Sequence, residues 1–167
     1  MPGAACADAP AIDLIDPGSL LSKTQLDALR THAESAMRVF ASAGVTGEAR
    51  IEIVNDDRMS AMHETHKNTP GTTDVLTFDL APDNDTLLDA DVLICADEAA
   101  RQASERGHDL VSELMLYIVH ALLHCTGYDD THDGALGATE MHSREDEILT
   151  AIGLGAVYHT QSTESGS

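Results

Sequence analysis

Apolar residues along this chain recur with two different periods. Within Ser22–Ala43, Leu26, Leu29, Ala33, Ala36 and Phe40 return every three or four residues, which predicts an amphipathic helix with Gly44 at its end. Arg50–Val54 alternates instead, with Ile51 and Ile53 on one side, and predicts a strand. Ala11–Ile15 predicts an earlier short strand, stopped by the turn signal Asp16-Pro17-Gly18. Asn55 is placed to cap a helix over Asp56–His66, whose first turn is acidic. After a turn at Thr69-Pro70-Gly71, the β-rich stretches Asp74–Leu80 and Ala90–Ala96 flank an acidic loop, Pro82–Asp89. Three helices follow, over Asp97–Arg106, Asp109–Cys125 and Thr139–Ile152. The order β-α-β-α-β-β-α-α-α implies an α/β (α+β) domain, a small mixed sheet packed with helices. One domain over residues 1–159 is expected, with a frayed Ser/Thr-rich tail over 160–167.

Composition narrows the class. The chain has 167 residues, 43% of them apolar but only 3% aromatic, so the core must be built from Leu, Ile, Val, Ala and Met. Its three cysteines, Cys6, Cys95 and Cys125, cannot all pair and show no C-x-x-C spacing; a reducing, cytoplasmic setting is the simpler reading. Met1–Pro10 has neither a basic region nor an apolar run, so no signal peptide is expected. No segment approaches the roughly 20 apolar residues of a membrane span. The formal net charge of −20 argues against a broad surface for nucleic acid, with nine Lys and Arg available for a local patch.

The chemistry concentrates at Leu114–Asp133. From Leu110 to Cys125 the helix is apolar nearly all round and should be buried. Inside it His120 and His124 stand at i and i+4, one turn apart on one face, the reach at which two imidazoles share a metal ion. Glu113 and Tyr117 continue the same stripe. Gly127 ends the helix, and Asp129, Asp130, His132 and Asp133 follow closely. Two helical histidines with a third donor just behind them is the layout of a three-ligand catalytic zinc site. Cys125, one residue past His124, is about 100° further round the axis and reads as a core residue, as does Cys95. A peptidase of the H-E-x-x-H type would carry Glu at position 121, where this chain has Ala121.

The segment His120-Ala121-Leu122-Leu123-His124-Cys125-Thr126-Gly127-Tyr128-Asp129-Asp130 resembles the H-G-x-L-H-L-x-G-Y-D-H pattern of the YbeY endoribonucleases. Thr72–Phe78 is similar to that family's P-T-D-V-L-S-F segment, and Ala90–Cys95 to its G-D-I-x-I-S strand. His108 and Glu113 fall where the family often has His and Glu. The resemblance spans roughly Ile51–Leu149 and implies a zincin-like fold, one zinc ion held by three side chains, and cleavage of single-stranded RNA. It further implies a role in small-subunit (16S) ribosomal RNA maturation and ribosome quality control, with contacts to ribosomal proteins and none to DNA.

Three positions depart from the pattern. The family's third histidine falls on Asp130, its Gly after the first histidine is Ala121, and its basic residue before T-D-V-L aligns with Lys67. The resemblance therefore implies a ligand set of His120, His124 and Asp130; His132 is the alternative third ligand, with Asp133 or a water behind it. Lys67 is the candidate catalytic residue, able to offset phosphate charge as a point charge but lacking the fork of Arg. His63 and His66 share its helix. His108 and Glu113 are candidate partners that orient a ligand ring, while His32, His142 and His159 read as surface residues. Two other functions remain open: a metallopeptidase-like hydrolase, and a non-catalytic, zinc-containing ribosome-assembly factor.

Overall fold

The computed structural model of the chain describes residues 9–67, 73–81, 83, 86–127 and 135–154, with the side chains of Lys67 and of residues 135–140 outside that description. Its elements run β1 (Ala11–Ile15), α1 (Lys23–Ser42), β2 (Thr46–Val54), α2 (Asp56–Lys67), β3 (Val75–Asp79), β4 (Leu87–Cys95), α3 (Ala96–Arg106), α4 (Leu110–Cys125) and α5 (Ala135–Ala151). This is the order read from the sequence. The strands form one sheet in the order β1-β2-β4-β3, parallel except for the antiparallel edge pair β3–β4. A mixed α/β sheet packed with helices is thus the observed class.

Local chemistry sets the ends of the elements. Ser22 and Gln25 form a reciprocal capping box at the start of α1. Asn55 accepts a hydrogen bond from the Arg58 backbone N–H at 2.8 Å, so it caps α2 as expected. Asp16 accepts from the backbone N–H groups of Leu20 and Leu21 at 2.9 and 2.8 Å and fixes the turn after β1. Asp109 caps α4 through the Ser112 N–H at 3.0 Å.

One sheet face carries Leu14, Ala49, Ile51, Ile53, Leu88, Ala90, Val92 and Ile94, buried with the apolar sides of α1 and α4 in the main core. Alternation along β2 and β4 puts Glu48, Arg50, Asp89 and Asp91 on the other face. There Arg50 pairs with Asp89, Asp91 and Glu48, three carboxylates brought side by side by the parallel register. Helix α2 covers only part of this outer face, enclosing Val54, Met59, Leu76, Leu93 and Cys95 in a second, smaller core. Cys95 donates from its thiol to Asp56, which Arg101 grips through both guanidinium NH groups, tying α2 to α3. Both described cysteines, Cys95 and Cys125, are buried and unbridged.

Two strands begin earlier than periodicity suggested. β2 starts at Thr46 and β4 at Leu87, because Thr46–Ala49 and Leu87–Ala90 pair with each other. That pairing holds Gly47 at φ +111°, where an added Cβ would lie 2.0 Å from the Leu88 carbonyl oxygen. Gly44, at φ +87°, has open space around it. Gly47→Ala is therefore expected to cost about 3 kcal/mol or more, against ~1 kcal/mol for Gly44→Ala. Urea denaturation midpoints of the two variants check this ranking.

Candidate metal centre on helix α4

Helix α4 lies between the sheet and the helices α1, α3 and α5. It is buried from Val111 to Cys125 on every side but one; the half-buried exceptions include His120 and His124. Its 16 residues span about 24 Å, and among the described residues no helix is long and apolar enough to cross a membrane. The stripe read from the sequence is real: Glu113 and Tyr117 are buried on it, and it reaches solvent where the histidines begin.

The two imidazoles have ring centroids 4.7 Å apart and stand at 79° to each other. Nδ1 of His120 lies 2.5 Å from Glu145 Oε2; a carboxylate only accepts, so the imidazole donates Nδ1–H in this contact. Glu145 belongs to α5, is fully buried, and has no hydrogen-bond partner for Oε1 among the described residues. Imidazole has one donor and one acceptor when neutral, so this bond leaves the lone pair on Nε2. A ligand histidine whose other nitrogen is held by a carboxylate is the usual support of a zinc site. Two imidazoles in this relation fit a divalent transition metal. Among the described residues no group of three His, Cys, Asp or Glu converges; Asp130, His132 and Asp133 lie outside them.

Glu145 was not singled out from the sequence. It sits in Arg144-Glu145-Asp146-Glu147, which reads as a solvated charge cluster. The available signal was helical phase: Met141, Ile148 and Leu149 are buried at −4, +3 and +4 from it, so position 145 faces the core.

Glu113 and His108 are brought together elsewhere. Nε2 of His108 and Glu113 Oε1 are 2.6 Å apart, and Arg106 Nη1 lies 3.4 Å from the other carboxylate oxygen. Seven residues of α4, about 10 Å of rise, separate Glu113 from His120. These three groups join the end of α3 to the first turn of α4. Burial, with the Glu113 and Asp74 carboxylates, pushes the Tyr117 phenol far above its ordinary range. The Cys125 thiol is pushed up to about 12 by burial, which suits a core residue.

Lys67 closes α2, and its side chain lies outside the described residues. His66 is exposed and meets Phe78 edge-on, with centroids 4.9 Å apart. Both line a cleft of about 450 Å³ on the outer sheet face, together with Arg50, Glu52, Met62 and Leu80. His120 and His124 are on α4, which packs on the opposite face.

Comparison with known proteins settles the lineage. The family model for endoribonuclease YbeY matches residues 19–153. A Moorella thermoacetica endoribonuclease YbeY is 39% identical over 127 residues, covering 68% of this chain and 80% of that one. The chain belongs to the YbeY family. The Macrococcus caseolyticus member is 31% identical over 154 residues, covering 86% of this chain and 96% of its own length. A Thermotoga maritima protein solved in solution shares the fold, with a TM-score of 0.62 at 19% identity over 93% of this chain and 95% of that one. The YbeY match takes in both helices of the candidate centre, α4 and α5, within one continuous span.

The Glu113 cluster gives a stability prediction. Glu113→Ala leaves the Arg106 and His108 groups facing a buried void and is expected to destabilise the fold by ~3 kcal/mol. Urea titration of the variant against the parent measures the loss.

Proposed function

We propose that this chain is a zinc-dependent endoribonuclease that cleaves single-stranded RNA during small-subunit ribosomal RNA maturation and quality control in the cytoplasm. The observation that carries the reading is the His120–His124 pair on a buried helix, with one ring held by a buried carboxylate. Family membership supports the nuclease activity, since the relatives are named endoribonucleases. His120 and His124 supply two ligands, and Asp130 or His132 supplies the third. Held by these residues, zinc would supply Lewis acidity and lower the pKa of a bound water. Lys67 offsets charge on the phosphate in the transition state. An RNA substrate also brings its own 2′-hydroxyl as a nucleophile.

Electrostatics limit how the substrate is held. Lys23, Arg50, Arg58, Arg101, Arg106 and Arg144 already face carboxylates within ion-pair distance. Little positive charge is left to grip a long backbone, so a short, flexible single strand fits better than a duplex. The metallopeptidase reading loses further ground here. Position 121, where such a peptidase carries its general base, is held by Ala121, fully buried in the core. A non-catalytic assembly factor that contacts ribosomal proteins remains the alternative, and cleavage decides it.

Wild-type protein is expected to cut single-stranded RNA, with activity lost in His124→Ala and after EDTA treatment, and restored by zinc only in the wild type. Cleavage that survives both treatments would refute the enzymatic reading, and ribosome binding without cleavage would favour the assembly factor. Lys67→Ala is expected to lower kcat about 100-fold, with Lys67→Arg retaining most activity; single-turnover rates measure the difference.

A further inference from the structure

We propose that Glu145 is the positioning residue of the metal centre, fixing the tautomer and the orientation of His120 from a different helix. The inference rests on the reading of His120 and His124 as zinc ligands. Three observations carry it. The contact is short, 2.5 Å between His120 Nδ1 and Glu145 Oε2. The carboxylate is fully buried in the apolar stripe of α5, between Met141 and the pair Ile148 and Leu149. Its second oxygen, Oε1, has no hydrogen-bond partner among the described residues.

A carboxylate in such a place is costly unless it does something the apolar residue in its stead could not. Its neighbours offer little compensation. Arg144 turns to Glu147 at 3.1 Å, and Asp146, next in sequence, is a second buried acid. The bond to His120 is what distinguishes Glu145 from the rest of the stripe. A ring held at Nδ1 presents Nε2 in one direction, and a dication bound by the ring would in turn offset the buried negative charge through the imidazole. The two groups are 25 residues apart in sequence, so the ligand is oriented only when α5 is packed on α4.

The test uses the full-length protein stripped of metal, with zinc itself as the probe. Glu145→Gln keeps the shape and an oxygen that accepts from Nδ1–H but removes the charge; Glu145→Ala removes both. Glu147→Gln, exposed on the same helix, is the control. Zinc competition is expected to show affinity falling about 10–100-fold in Glu145→Ala, less in Glu145→Gln, and not at all in Glu147→Gln. Nitrogen NMR of zinc-free protein is expected to show His120 as the Nδ1–H tautomer in the wild type and a shift toward Nε2–H in Glu145→Ala. Should Glu145→Ala fail to fold, the isosteric Glu145→Gln carries the affinity readout, since its oxygen still accepts from Nδ1–H. Wild-type zinc affinity with an unchanged His120 tautomer in folded Glu145→Ala, or wild-type zinc affinity in Glu145→Gln where that is the variant that folds, would overturn the inference while leaving the zinc site intact. Absence of zinc binding by the wild type would instead overturn the reading on which the inference rests.

Discussion

Helix α4 is enclosed by the sheet and by α1, α3 and α5, so a polar side chain buried on it depends on another element for a partner. Its polar stripe divides the work between two neighbours. Glu113, near the N-terminal end, is met by His108 and Arg106 at the α3 junction. His120, one turn before the end, is met by Glu145 from α5. Between them Tyr117 keeps a phenol whose proton cannot be lost cheaply, first because it is buried and then because the Glu113 and Asp74 carboxylates stand near it. Apart from Ser112 and His124, the rest of α4 is apolar and packs into the main core. The burial that would otherwise penalise two histidines is what makes their geometry definite.

The acidity of the chain is distributed, not concentrated at the histidines. On the outer sheet face the parallel register aligns Glu48, Asp89 and Asp91, and one arginine, Arg50, neutralises them together. The guanidinium is held fully protonated by these partners. Arg101 plays a similar part for Asp56 and Glu98 at the joint of α2 and α3, which keeps the Asp56 carboxyl below its ordinary range. These partly exposed pairs contribute little stability each. Their larger effect is to engage basic groups that could otherwise contact an anion.

Most of this was legible from residue order. The element order, the capping by Asn55, the buried α4 and the burial of Cys95 and Cys125 all follow from period and composition, because each is set by residues adjacent in sequence. What escaped was non-local. Thr46–Ala49 falls between the helix end at Gly44 and the alternating run, and Leu87–Asp89 in the acidic loop, yet each becomes strand because the other pairs with it. Helix α5 starts at Ala135, four residues before the periodicity became visible, and Gly137 lies in the interval that hid it. The partner of His120 was hidden by polarity. Glu145 lies between Arg144 and Asp146, and only helical phase against Met141, Ile148 and Leu149 sets it apart from its charged neighbours.

The centre therefore has a local half and a tertiary half. The spacing of His120 and His124 is guaranteed by any helix, and that half could be read without a structure. Ring direction is not guaranteed by a helix, because an imidazole turns about χ2 with little resistance. Here it is set by a carboxylate that arrives only when the last helix docks. The connection leaves α4 at Gly127, whose φ of +102° suits a left-handed cap, and enters α5 at Ala135, so Asp130 and His132 lie between two helices joined by this bond. The bond exists only once α4 and α5 are packed together, so the orientation of the His120 ring is a property of the folded protein and not of the helix that carries it.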